Sequence, residues 1–112
     1  MRILVVCGAG ASSTFVAQRV RHAAHERGLP YTASAGTEMS LPIDLDTADV
    51  VLVGPHLSGS LKRIEGNAAA RGVVVVLLPE DVFADHTGER TLELIEAAIA
   101  ARREATAGPA PA

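Results

Sequence analysis

The chain has one cysteine, and it stands where a thiol could act. Cys7 closes a short apolar run, Ile3 to Val6, and Gly8, Ala9, Gly10, Ala11, Ser12, Ser13 and Thr14 follow it. A thiol is a nucleophile as its thiolate, and thiolates are favoured at helix N-termini. Amides of a first helical turn lack intrahelical partners and attract anions. Glycine and alanine let a backbone wrap closely around a phosphate-sized group, and the three hydroxyls add donors. Cys7 is therefore a candidate nucleophile, and Gly8 to Thr14 a candidate anion cradle. The competing reading makes Cys7 a small buried hydrophobe at a strand end.

Two thiol chemistries suit such a cradle. A phosphatase of the C-x5-R type carries an arginine six residues after the cysteine, to clamp phosphate and stabilise transition-state charge. Ser13 holds that position here. Hydrolysis also needs an acid for the leaving group, and Asp85 is the one loosely placed candidate. Without the arginine, a phosphoryl group on Cys7 would be held and handed on rather than hydrolysed. That is the behaviour of a carrier.

Other titratable groups add little. His56 follows Gly54-Pro55 at the end of an apolar run and is a candidate auxiliary group near the thiol, or a plain surface histidine. His22 and His25 share a polar helix face, too few ligands for a metal. Asp44, Asp46 and Asp49 fall in or beside a polar connection and read as solvated. No metal site and no cofactor is expected.

The elements that must position these residues can be read from periodicity. Ile3–Val6, Ala48–Val53 and Val73–Leu78 are apolar runs that read as strands buried on both faces. Tyr31–Ala35 is weaker and reads as an edge strand. Ser12, Ser13 and Thr14 are candidate N-caps for a first helix with Val16 and Val20 inward. Gly28 and Pro30 end it. Leu57, Leu61, Ile64 and Ala68 mark a second helix, which Gly72 terminates. Thr87 is placed to cap a third helix through Arg103. Residues 104–112, rich in alanine, proline and glycine, are expected to form a flexible tail after a single domain over 1–103. Gly36 to Asp46 reads as a plain connection. The order β-α-β-β-α-β-α predicts an α/β fold: an open four-stranded parallel sheet, strand order 2-1-3-4, with three helices on both faces. Its switch point lies between the first and third strands, where ligands bind at the carboxyl edge. Cys7 and His56 both follow strands that end there.

Composition narrows the class. The sequence has 112 residues, enough for one core. It is 48% hydrophobic but 3% aromatic, so that core must be aliphatic. The net charge of −3 lacks the basic excess of a nucleic-acid binder. A single cysteine forms no internal disulfide. No run is long enough to span a membrane and no signal peptide is evident, so a cytoplasmic protein is expected.

The segment CGAGASST resembles the C-(S/A)-x-G-M-S-T-S phosphorylation loop of enzyme IIB of the bacterial sugar phosphotransferase system (PTS), lactose/cellobiose type. ADVVLVGPH is similar to that family's A-D-V-V-L-L-G-P-Q segment. Ala11 stands for the usual methionine, Ser13-Thr14 for Thr-Ser, and His56 for the glutamine; the stretch Pro79 to Gly88 matches poorly. The resemblance implies the fold of the low-molecular-weight phosphatases with its P-loop, and a phosphocysteine at Cys7. It further implies a phosphohistidine donor, enzyme IIA, and a membrane acceptor, enzyme IIC, holding the sugar. The alternatives are a phosphatase or arsenate-reductase-like enzyme, and a non-catalytic regulatory domain on the same fold.

Overall fold

The structure, a computed structural model, describes residues 1–6 and 10–107, with residues 10–12, 83 and 103–107 by backbone alone. Four parallel strands form one sheet: β1 (Arg2–Val6), β2 (Thr32–Gly36), β3 (Val50–Val53) and β4 (Val74–Leu77), in the order β2-β1-β3-β4. Four helices connect and cover them: α1 (Gly10–Glu26), α2 (Leu41–Asp44), α3 (Leu61–Ala69) and α4 (Glu89–Ala107). The expected sheet order is the observed one.

Alternation along the strands divides the core in two. Ile3, Val5, Val50 and Leu52 face α1 and α4, where they meet Val16, Val20, Ile95 and Ile99. Leu4, Val6, Val51 and Val53 face the other side and pack on Leu41, Leu45, Ile64 and Ala68 from α2 and α3. Each such side chain, fully buried, contributes about 1.5–3 kcal/mol before entropy is counted. β3, and β1 beyond Arg2, are apolar throughout because both of their faces are covered.

Several boundaries differ from expectation. α1 starts at Gly10, so Ser12, Ser13 and Thr14 are already helical rather than capping residues. The inward stripe explains this: Ser13, Val16, Ala17 and Val20 are all buried, a single face extended one turn upstream. α2 is an extra helix inside the supposed connection. Pro42 lies in its first turn, and Leu41 and Leu45 anchor it in the core. One helical turn is enough to carry the chain across in this short parallel crossover. The second predicted helix divides: Pro55–Ser60 is a 3-10 turn, and regular helix begins at Leu61. Leu57 adopts non-helical angles there, between residues rich in serine and glycine. β4 takes the expected place at the sheet edge but is less buried than its apolar run implies, and Leu77 is 42% exposed. α4 continues to Ala107, past the expected stop at Arg103, so residues 104–107 are helical. Residues 108–112 lie outside the described residues.

Gly28 and Gly72 take positive φ after α1 and α3, as the helix-end reading requires. Gly88 does more: it precedes α4 at φ +78°, and a Cβ there would sit 2.2 Å from the Arg19 carbonyl oxygen of α1. Only glycine lets α4 start this close to α1. Arg27 then ties the end of α1 to the start of α4 through Glu89, with Glu93 at 3.6 Å.

Candidate functional site

The strands are parallel, so every strand-to-helix connection leaves the same edge of the sheet. At that edge Val6 lies opposite Gly36 of β2 and opposite Val53 of β3. The Gly54 N–H donates to the Val6 carbonyl at 2.7 Å, extending the pairing by one residue. The chain thus leaves the sheet at Val6, between two neighbouring strands, and α1 begins at Gly10. This is the switch point of a doubly wound sheet.

Of the predicted site residues, Gly10, Ala11, Ser12, Ser13 and Thr14 form the opening of α1 at this edge. Ser13 is fully buried and Thr14 exposed, and each has a partner within the protein. His56 is the second residue of the 3-10 turn after β3, exposed, at the same edge. Cys7, Gly8 and Ala9 lie outside the described residues.

Asp85, the candidate acid for a hydrolytic reaction, has a different occupation. Its Oδ2 accepts the Thr91 N–H at 2.9 Å and the Thr91 hydroxyl at 2.8 Å, and its Oδ1 accepts the Arg90 N–H at 3.4 Å. Asp85 is 7% exposed and caps α4 from four residues before its start. Burial alone would raise its pKa; the bonds from Thr91 and Arg90, with the Arg90 charge, outweigh that and hold it below the ordinary carboxylate value. A general acid must carry a proton, and this group is held ionised. The hydroxyl of Thr87, the residue expected to cap, accepts the Glu89 N–H at 3.3 Å, and Asp85 takes the larger share of the cap.

Asp44, Asp46, Asp49 and His22 are in ordinary structural and surface roles. Asp44 accepts the Ser40 hydroxyl at 2.6 Å, Asp46 pairs with Arg71 at 2.7 Å, and Asp49 accepts the Arg2 N–H at 2.7 Å. His22 lies 3.9 Å from Glu26 on an exposed helix face. Among the described residues no group of three or more metal-ligating side chains converges. Nor is any described helix long and apolar enough to cross a membrane.

One feature of this edge escapes any sequence reading. The Glu38 carboxylate, in the β2–α2 connection, accepts the Ser60 hydroxyl at 2.9 Å and the Arg63 guanidinium at 2.6 Å. Its partners lie 22 and 25 residues away in the chain, so no local spacing announces the contact.

Solved structures share this architecture. The lactose-specific IIB component domain of the phosphoenolpyruvate:carbohydrate phosphotransferase system from Streptococcus pneumoniae matches with a TM-score of 0.79 at 15% identity, over 87% of this chain and 95% of that one. At that identity the likeness is one of fold. The cellobiose-specific phosphotransferase IIB component protein from Borrelia burgdorferi matches with a TM-score of 0.71 at 30% identity, over 91% of this chain and 94% of that one. A comparison with curated protein sequences returns no match. The family model for the PTS lactose/cellobiose-specific IIB subunit covers residues 2–93. The chain belongs to that family and is a component of a sugar phosphotransferase system.

Proposed function

We propose that the protein is a phosphoryl carrier. Cys7 accepts a phosphoryl group from a phosphohistidine of enzyme IIA and passes it to a sugar bound by the membrane enzyme IIC. The observation that carries this reading is the placement of α1. Cys7 directly follows Val6, the last residue of β1, and a helix opens three residues after the cysteine, at Gly10. The free amides of a first helical turn then supply the charge stabilisation that a thiolate and a phosphoryl group both need. Gly8, Ala9, Gly10 and Ala11 leave the backbone accessible, and Ser12, Ser13 and Thr14 complete the cradle. The protein works in the cytoplasm, without cofactor or metal, and reaches the membrane through its partner.

Each transfer is a displacement at phosphorus. The Cys7 thiolate attacks phosphohistidine, the S–P bond forms as the N–P bond breaks, and the imidazole leaves with the bonding pair. In the second transfer a sugar hydroxyl attacks and the thiolate leaves, while the hydroxyl proton goes to a base on the acceptor side. Hydrolysis has little support in this chain: Ser13 stands where a C-x5-R phosphatase has its arginine, and Asp85 is committed to capping α4.

The test is intact-protein mass spectrometry with phosphoenolpyruvate and the upstream phosphorelay proteins supplied. One phosphoryl group on Cys7 is expected, and none on Cys7→Ser. A Cys7→Ser protein phosphorylated at the wild-type rate would overturn the proposal.

A further inference from the structure

The outer margin of β4 lacks what usually protects an edge strand. Unpaired backbone groups invite another strand, so such margins are blunted by a charge, a proline or a bulge. β2, at the opposite margin, carries Thr32 and Ser34 and ends in Gly36. β4 runs from Val74 to Leu77 without a polar residue or a proline, in unbroken register with β3. Two grooves follow this margin end to end. One is lined by Leu77, Leu78 and Pro79 with Arg90, Glu93 and Leu94 of α4. The other is lined by Val73 to Val75 with Glu65 and Ala69 of α3 and Arg102 of α4. Leu77 and Leu94 both stand exposed in the first groove. The Arg102 guanidinium marks the far end of the second, 3.7 Å from where a Cβ on Gly72 would stand.

The open backbone groups fix what can pair there. The Val74 N–H donates to the Asp49 carbonyl at 3.0 Å and the Leu78 N–H to the Val53 carbonyl at 2.8 Å, so these residues turn their backbone towards β3. Alternation turns Val75 and Leu77 outward, where the sheet has no further strand. The outward row stops at those two: the Val73 N–H is spent on the Ala68 carbonyl at 2.9 Å, and Pro79 has no N–H. Two open residues with one between them suit self-pairing. About a two-fold axis at Val76, Val75 of each copy faces Leu77 of the other, and the exchanged bonds use every open group. The same axis lays α4 antiparallel beside its counterpart. Glu93 and Arg102 lie nine residues apart on α4, about 13.5 Å. The strand segments they flank, Leu77–Leu78 and Val73–Val75, are centred about 12 Å apart. The axis that pairs Val75 with Leu77 therefore also brings Glu93 of each copy to Arg102 of the other. Leu94 then meets Ala97 and Ala101, exposed residues small enough for close helix approach.

We propose that the β4 margin is a self-association surface: its occupant is a second copy of this chain, paired antiparallel through Val75 and Leu77 into one eight-stranded sheet. Charge complementarity selects a second copy over an unrelated strand. Glu93 and Arg102 sit at opposite ends of the margin and complement each other only where it meets itself reversed. Glu93 is loosely held in its own chain, 3.6 Å from Arg27, whose closer partner is Glu89. The contact is small, so the dimer is weak, with dissociation in the micromolar range or above. Because the paired strands run in opposite directions, the carboxyl edges of the two copies lie on opposite sides of the joint sheet. Each copy keeps the opening of its own α1 accessible to other partners.

Sedimentation velocity from low-micromolar to near-millimolar protein tests this, with amide hydrogen exchange read by NMR at both ends of the range. A concentration-dependent dimer is expected, and the Val75 and Leu77 N–H groups should gain protection at high concentration. Leu77→Lys puts a charge on the margin and should abolish the dimer, while the melting temperature of the dilute protein moves by no more than a few degrees. Glu93→Arg or Arg102→Glu alone should weaken association by about ten- to thirty-fold, because two symmetric ion pairs are lost at once. The double variant, Glu93→Arg with Arg102→Glu, should recover most of that loss. A chain that stays monomeric throughout overturns the proposal and leaves the margin to a strand of another protein. A dimer that survives Leu77→Lys, or that protects other amides instead, overturns the margin as its seat. Single charge variants without effect, or a double variant without recovery, overturn the two-fold register.

Discussion

Replacing Asp85 by alanine separates a structural carboxylate from a chemical one. The substitution removes the acceptor for the Thr91 N–H, the Thr91 hydroxyl and the Arg90 N–H. Arg90 is exposed and its amide can turn to water, but Thr91 is 3% exposed. Loss of a helix cap costs about 0.5–2 kcal/mol, and a buried donor left without a partner about 1–3 kcal/mol more. The expected loss is about 2–4 kcal/mol, a large share of the roughly 5–15 kcal/mol that holds a domain together. A domain near this size loses roughly 4–6 °C per kcal/mol, so the melting temperature should fall by on the order of 10 °C. Asp85→Asn keeps one oxygen for Thr91 and should cost less, about 1 kcal/mol, because a charge-assisted bond becomes a neutral one. The pH dependence has a definite sign. The folded pKa is lowered, so the carboxylate's contribution is complete above the ordinary value of about 3.9 and disappears as pH falls through the folded value. Wild type should therefore lose stability below about pH 4, and Asp85→Ala should show a flatter acid limb. Chemical denaturation at several pH values measures both. An unchanged melting temperature combined with an altered lifetime of phosphorylated Cys7 would refute the cap and return Asp85 to the chemistry.

Three further outcomes are expected. Gly88→Ala forces a Cβ to within 2.2 Å of the Arg19 carbonyl in a left-handed backbone, whereas Gly28→Ala meets nothing within 4 Å. Both pay the left-handed cost of about 1 kcal/mol, but Gly88→Ala should lose about 1–3 kcal/mol more through overpacking, read by urea denaturation. His56→Gln, at an exposed position, should leave Cys7 phosphorylation within about two-fold of wild type, since surface substitutions away from special features perturb little. A complete loss of phosphorylation would make His56 a chemical group. Leu77→Lys on the edge strand β4, 42% exposed, should change the melting temperature of the dilute, monomeric chain by no more than a few degrees. A large loss there would mean that Leu77 packs within its own chain.

The sheet was legible because burial on two faces leaves a strong trace: Ile3–Val6 and Val50–Val53 contain no polar residue to misread. The same trace misleads at β4. Six consecutive apolar residues, Val73–Leu78, look alike in a strand buried on both faces and in an edge strand backed by two helices, where Leu77 stays open to solvent. The opening of α1 was misplaced because serine and threonine favour caps, whereas here one of them, Ser13, continues the buried stripe. α2 is one turn long, below the reach of any periodicity. The Glu38 contact joins side chains 22 and 25 residues apart that only the fold brings together, whereas the Asp85 cap is local but reaches N–H groups five and six residues on, beyond the usual cap spacing.

The places of Ser13 and Asp85 bear on how one fold serves either hydrolysis or carriage. A thiol phosphatase needs an arginine on the phosphoryl group and a protonated acid behind the leaving oxygen. In this chain the residue six after Cys7 is Ser13, fully buried on the inward face of α1, where the space is that of a hydroxyl. Ser13→Arg would press a guanidinium into that space, so it should destabilise α1 rather than create a clamp. The candidate acid fails for a different reason: Asp85 is held ionised and spent on the start of α4. Restoring either group alone leaves the other absent. Conversion to a hydrolase would need the α1 opening and the α4 cap rebuilt together. Single substitutions at these positions should therefore lower stability without producing turnover of a small aryl phosphate, and turnover by Ser13→Arg alone would contradict this account of what keeps the group on sulfur.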